Sequence, residues 1–213
     1  MLKRLIQTIQ LLYVKIKWII FGESKSQQIE LFLPINTNIK FQHIMLPEDY
    51  KLRTYFKNDF TELQQLYLNV GFKDMSLDNL KNAINLAVPG GIFIITHKLS
   101  NNIVGAFMSR HMSDEEHYEG GRIDWLAVDL KHRGHNLGLI LTITALNRLK
   151  SIGYKNIHVT TDDQRLSAIK TFLKVGLVPD INSKEMNQRW SKICKLLNVS
   201  FLDDEWAKLK NDI

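Results

Sequence analysis

Leu126-Ala127-Val128-Asp129-Leu130-Lys131-His132-Arg133-Gly134-His135-Asn136-Leu137-Gly138 is the stretch that decides the fold. An apolar strand over residues 123–128 runs through a basic, glycine-containing loop into a long helix. That helix places Leu137, Ile140, Leu141, Ala145, Leu149 and Ile152 on one face, and Gly153 stops it. The first N–H groups of a helix have no partner inside it. Together with the positive end of the helix dipole they form an anion site. Lys131, His132, Arg133 and His135 add positive charge, and Gly134 and Gly138 let a phosphate come close to the backbone. The loop is not a Walker A sequence, which would end in Lys-Ser or Lys-Thr, and it is not G-x-G-x-x-G. Taken alone, it is either a phosphate cradle or a basic strand–helix turn.

Working outward, residues 39–45 alternate as a strand, and Pro47 opens a helical region. Phe56, Phe60, Leu63, Leu66, Tyr67 and Val70 form one face of it, and Gly71 ends it. Ser76 is placed to cap a helix carrying Leu77, Leu80, Ile84 and Ala87, which Pro89-Gly90-Gly91 closes. Residues 92–97 and 103–108 make a hairpin. After the 123–128 strand and the long helix, residues 156–160 read as a strand. Asp162 or Asp163 then caps a helix that buries Leu166, Ile169, Phe172 and Leu173. Leu177-Val178 begins a short strand, and residues 185–197 and 203–209 are helical. The order β-α-α-β-β-β-α-β-α-β predicts an α/β fold around a mixed sheet.

Composition narrows the function. The chain has 213 residues, 45% hydrophobic and 23% charged, which is an ordinary globular balance. One cysteine, Cys194, excludes an intramolecular disulfide framework and suits a reducing, cytoplasmic setting. The seven histidines show no metal-ligand spacing, so no metal is expected. The net charge of +6 is uneven, because Lys3, Arg4, Lys15 and Lys17 lie in the first 22 residues without an acid. The remainder carries only +2, so a nucleic-acid face is not expected.

Residues 1–22 read as a basic amphipathic helix with apolar stripes on two sides. No uncharged run reaches the ~18 residues of a spanning helix. The helix suits either an anionic membrane surface or a docking site on its own domain or a second copy, so a homo-oligomer or peripheral membrane contact is open. Residues 23–38 read as a linker, 39–180 as the main domain and 181–213 as a helical C-terminal extension.

The stretch over residues 125–138 resembles the "L-A-V … Q/R-x-x-G-x-G/A" motif of the GNAT superfamily of acyl-CoA-dependent N-acetyltransferases. Residues 161–177 (TDDQRLSAIKTFLKVGL) are similar to that family's "N-x-x-A-x-x-L-Y-x-K-x-G-F" segment. The resemblance covers roughly residues 39–178. It implies a mixed, mostly antiparallel central sheet flanked by helices, with a V-shaped splay between the strand at 123–128 and the next one. It also implies acetyl-CoA as co-substrate. Pantetheine would pair with backbone at Leu126, Ala127 and Val128. The pyrophosphate would rest on N–H groups of Arg133, Gly134, His135, Asn136, Leu137, Gly138 and Leu139. An amine, on a small molecule or a peptide, would attack the thioester directly.

This sequence departs from the family's pattern at three places. Asn136 replaces a glycine, and asparagine tolerates left-handed backbone. Arg165 stands where asparagine is common, either reaching the cofactor or lying on an exposed helix. Phe172 stands where the family's general-acid tyrosine usually sits, and phenylalanine has no proton to give. In several relatives the base is a carboxylate on the central strand, on the face of the motif's Val; alternation puts Arg122, Asp124, Leu126 and Val128 on one face, so the resemblance makes Asp124 the expected base. Its alternative is an ion pair with Arg122 or another arginine. Thr160 occupies another position from which relatives draw a base and cannot serve; His158, His117 and Tyr118 are weaker candidates. Asp114, Glu115, Glu116 and Glu119 either attract a cationic amine or are solvated. Trp125 and Trp190 either line the acceptor pocket or belong to the core. The function expected is N-acetyl transfer; a non-catalytic acyl-CoA-binding module is the alternative.

Overall fold

The computed structural model describes residues 28–35, 37, 44–112 and 119–210. The strands are β1 (Ile29–Leu33), β2 (Tyr50–Thr54), β3 (Ala87–His97), β4 (Ile103–His111), β5 (Gly121–Val128), β6 (Ile157–Thr161) and β7 (Val178–Pro179). They form one sheet in the order β2-β3-β4-β5-β6-β1-β7. Every pairing is antiparallel except β5 with β6, which is parallel. The helices are α1 (Phe60–Asn69), α2 (Leu77–Asn85), α3 (Leu137–Ser151), α4 (Leu166–Lys174), α5 (Lys184–Leu197) and α6 (Asp203–Lys210). The α/β fold with a mixed, mostly antiparallel sheet is therefore as expected.

Helices cover both faces. On one, Leu63, Leu66 and Tyr67 of α1 and Leu80 of α2 pack against Ile94, Ala106 and Met108. On the other, Leu141, Ala145 and Leu149 of α3, Ile169 of α4 and Trp190 of α5 pack against Ile95, Phe107 and Ile123. Ser76 caps α2 as expected, its hydroxyl accepting the Asn79 N–H at 3.2 Å. Arg189 of α5 clamps Asp163 at 2.6 Å, which fixes the C-terminal helices to the β6–α4 turn.

Several expectations are corrected. The linker over residues 23–38 contains β1, an interior strand that pairs with β6 on one side and β7 on the other. Ile29, Leu31 and Leu33 are buried, so the folded unit does not begin at residue 39. The sheet beyond β6 is completed by β1 from the other end of the chain, with β7 outside it. Residues 44–47 are irregular, and the segment after Pro47 forms β2 before any helix. Ala87–His97 is a single strand, kinked where the register with β4 shifts and Gly90 adopts φ +65°. Neither Asp162 nor Asp163 caps α4, because Arg165 holds that position and Asp162 accepts the Arg165 Nε–H instead. The helix expected over residues 1–22 and the acidic residues 114–116 fall outside the described residues. Among the described residues, no helix is long and apolar enough to cross a membrane.

Burial of Ile29, Leu31 and Leu33 contributes roughly 1.5–3 kcal/mol each. That sum rivals the whole stability of a typical domain. A chain begun at Gln28 is expected to unfold cooperatively near the full-length midpoint, and one begun at Ile39 to show no cooperative transition. Thermal melts followed by circular dichroism check this. Equal midpoints for the two truncations would show that β1 is dispensable.

Candidate active site

Ladder pairing between β5 and β6 is confined to Gly121 opposite Ile157 and Arg122 opposite His158. Past these pairs the two strands part. The cause lies on the opposite edge of β5. Its register with β4 jumps from Asp124 opposite Met108 to Ala127 opposite Ala106, so Trp125 and Leu126 together face Phe107. Trp125 is in left-handed backbone, φ +56°. An inserted residue of this kind bends its strand and sharpens the local twist.

The bulge also inverts the strand's facing. Asp124 pairs with Met108, which packs under α1 and α2. Leu126 and Val128 instead pack with the core under α3. Ala127 is buried on the α1/α2 side. The expectation that Arg122, Asp124, Leu126 and Val128 share one face is therefore wrong, because alternation by two fails across an inserted residue.

At the far end of β5, the Asp129 carboxylate accepts the Lys131 N–H at 2.8 Å and turns the chain toward α3. Gly134 (φ +89°) and Asn136 (φ +58°) both adopt left-handed backbone, which glycine and asparagine tolerate best. The first backbone bond of α3 is the Ile140 N–H to the Asn136 carbonyl, 3.0 Å. Among the described residues, no hydrogen bond takes up the N–H groups from Arg133 through Leu139. A Cβ added at Gly138 would lie 3.7 Å from Val128 Cγ2 and 3.8 Å from Leu126 Cδ2, so the helix start sits against the strand end. Leu137 and Leu139 are buried in the core, and their role in the loop is confined to the backbone. Arg133 donates Nε–H to the Val128 carbonyl at 3.2 Å, and burial pulls its guanidinium pKa down. His135 Nδ1 lies 3.2 Å from the His132 carbonyl, and His132 Nδ1 lies 3.1 Å from the Tyr50 hydroxyl.

At the vertex of the splay the structure gathers a charged group. Asp124 is buried, and its two oxygens accept Nε–H from Arg110 and, at 2.8 Å, from Arg122. Arg110 and Arg122 are directly opposite one another on β4 and β5. Like charges so placed repel, and the carboxylate between them offsets this. The Arg110 guanidinium also lies 5.1 Å from the Trp125 ring centre. Beneath the group, the Tyr67 hydroxyl is buried without a hydrogen-bond partner among the described residues; burial, then the charge of Asp124, raises its pKa.

Arg122 reaches across the gap, donating Nη2–H to Thr160 Oγ1 of β6 at 2.6 Å. Thr160 donates to Gln28 Oε1 at 3.1 Å, and Gln28 Nε2 donates to Asp162 at 3.2 Å. Asp162 holds Arg165 at 3.1 Å, and Arg165 covers the Phe72 ring at 4.1 Å. Arg165 thus joins the β6–α4 turn to the α1–α2 loop.

The remaining candidates resolve as follows. Phe172 is buried and stacked on Phe107, with ring centres 6.3 Å apart. Trp190 and His158 are buried in the sheet's packing, and His117 and Tyr118 lie outside the described residues. Cys194 is buried, which pushes its thiol up to about 11 and leaves it no nucleophilic part. A cleft of 490 Å³ lies beside the loop, between Glu62 and Asn69 of α1 and Lys131 and His132, away from Asp124. Among the described residues no group of His, Cys, Asp or Glu could hold a metal ion. Sequence reasoning missed Arg110, Tyr67 and Gln28. Folding the β4–β5 hairpin on paper would have brought Arg110 opposite Arg122, but nothing local marks the other two.

The model of the acetyltransferase (GNAT) family matches residues 53–177, more than half of the chain. Mycothiol acetyltransferase of Nocardia farcinica is 25% identical over 91 residues, which are 43% of this chain and 30% of that protein. The chain therefore spans under a third of the length of the curated relative it matches. A solved GCN5-related N-acetyltransferase from Sphaerobacter thermophilus superposes with a TM-score of 0.58 at 14% identity, covering 78% of this chain and 53% of that one. A solved acetyltransferase from Trypanosoma brucei gives 0.50 at 20% identity, covering 63% and 96%. These two likenesses show the fold.

Gly134 has nothing within 4 Å of an added Cβ, so a side chain there meets no protein atom. Gly134→Asp is expected to keep the fold while weakening CoA binding by about 100-fold, through charge repulsion at the loop and strain at φ +89°. Calorimetric titration of CoA checks this, and equal affinities would place the phosphates elsewhere.

Proposed function

The chain belongs to the acetyltransferase (GNAT) family, and we propose that it transfers an acetyl group from acetyl-CoA to an amine in a ternary complex. The observation that carries this reading is the run of N–H groups from Arg133 to Leu139 that find no acceptor among the described residues, opening onto strands that have parted. Backbone donors at a helix start suit a pyrophosphate, and Lys131, His132, Arg133 and His135 surround them with cationic or protonatable groups. The parted edge of β5 at Leu126 and Val128 offers backbone to an extended pantetheine amide chain, while the backbone of Ala127 is paired with Ala106 of β4. Such an arm, held at the loop and running along β5, brings its acyl end toward the vertex, where Asp124 lies.

CoA supplies the activated thioester. The amine nitrogen forms a bond to the thioester carbonyl carbon, and the carbon–sulfur bond then breaks. Asp124 accepts the proton that the amine loses, directly or through a water. Each of its oxygens already holds one guanidinium N–H and keeps a further acceptor position. The buried, stacked Phe172 offers no acid, so water protonates the departing thiolate, whose conjugate thiol is moderately acidic.

With acetyl-CoA and a panel of primary amines, the full chain is expected to release free thiol in an amine-dependent manner. CoA binding without release for any amine would assign it to acyl-CoA binding alone. Asp124→Asn is expected to lower kcat by ~100-fold, the range for a positioned base. It also leaves Arg110 and Arg122 facing each other without their counter-charge, so the melting midpoint falls as well. CoA affinity, measured in parallel, stays near the wild-type value. Unchanged kcat in a folded Asp124→Asn protein would move the base elsewhere.

A further inference from the structure

Among the described residues the vertex group holds two guanidinium groups against one carboxylate, one surplus positive charge. Its hydrogen bonds do not use up its donors. Arg110 donates Nε–H to Asp124 and rests over Trp125, and no partner among the described residues takes its η-nitrogens. Arg122 spends Nε on Asp124 and Nη2 on Thr160, and no described residue takes Nη1. The arginine side chains are only 12% and 19% exposed. Guanidinium groups held this far from solvent with unspent N–H groups favour an anion, and their planar fork matches a carboxylate. The Tyr67 hydroxyl, buried beside the same carboxylate without a partner among the described residues, adds another donor to this side of β5.

The inversion at the bulge gives these groups their place. The cluster is on the α1/α2 face, while the Leu126 and Val128 side chains and the start of α3 are on the other. The cluster therefore borders the splay from the side away from the α3 loop, where an acceptor can meet the acyl end.

We propose that the acceptor is an amine bearing its own carboxylate, which the unspent N–H groups of Arg110 and Arg122 bind while the amine faces Asp124. This rests on the acyl-transfer reading above and narrows its substrate. A single carboxylate matches the single surplus charge. A simple diamine would bring a second cation to a group that is already net positive, and is disfavoured. Arg110 and Arg122 are in this account residues that select and orient the acceptor; the proton transfer stays with Asp124.

The test uses the full chain, acetyl-CoA and free amino acids paired with their own primary amides and decarboxylated amines. The expected result is a kcat/KM at least ~10-fold higher for the acid than for its amide, as for loss of a hydrogen-bonded charge pair. Arg110→Lys keeps the charge but loses the fork. It is expected to raise KM for the carboxylated acceptor about 10-fold while KM for acetyl-CoA stays near its wild-type value. Calorimetric titration of CoA into the same variant confirms that it is folded. Amides or decarboxylated amines turned over as well as the acids would overturn the proposal and leave acyl transfer standing. Thiol release with neither class, while CoA binds, would overturn the acyl-transfer reading with it.

Discussion

Trp125 sits in left-handed backbone because β5 carries one residue more than β4 can pair across Phe107. Holding a bulky residue there costs on the order of 1–3 kcal/mol. That inserted residue bends β5 away from β6, so a parallel pair that begins at Gly121 and Arg122 goes no further. It also sets which side chains meet which helices. Asp124 is turned under α1 and α2, and Leu126 and Val128 toward α3. Without the bulge, β5 and β6 could continue their ladder, and no gap would separate the loop before α3 from the charged group at Asp124.

The parting of two interior strands leaves unpaired backbone, which a fold tolerates when another partner is available. Here the arms stay tied at their edge by a polar chain. Arg122 bonds Thr160, Thr160 bonds Gln28, and Gln28 bonds Asp162. Two of these contacts depend on Gln28, the residue just before β1. The strand that closes the sheet beyond β6 therefore also braces the vertex. Arg189 performs a related service at the next turn by pairing with Asp163. Removing one partner of such a buried pair costs roughly 3–5 kcal/mol.

Much of this architecture is legible in the residues. The apolar strand, the basic loop and the amphipathic α3 follow from residues 123–152, and the Ser76 cap from its position before an apolar helical pattern. The left-handed Asn136 also follows, because asparagine is one of few residues that accept it. β1 was hidden by its flanks. Its short apolar run follows polar residues and precedes Pro34, and its partners in β6 lie far along the chain. The facing of Asp124 was hidden for a different reason. Alternation counts residues, and a bulge changes the count without any glycine or proline to mark it, since the residue in the left-handed position is a tryptophan. The ion pair with Arg110 depends on hairpin register, which is set by pairing across β4 and β5 and not by local spacing.

Acyl transfer at this site depends on where the phosphates of CoA and its pantetheine arm sit. Titration of ¹⁵N-labelled protein with acetyl-CoA, followed through backbone amide resonances, reads this most directly. The largest saturable shifts are expected at Gly134 through Leu139, whose N–H groups find no acceptor among the described residues, with further shifts at Leu126 and Val128 on the parted edge of β5. Unmoved resonances at those positions, with the shifts gathered instead around the cleft between Glu62, Asn69 and Lys131, would contradict it.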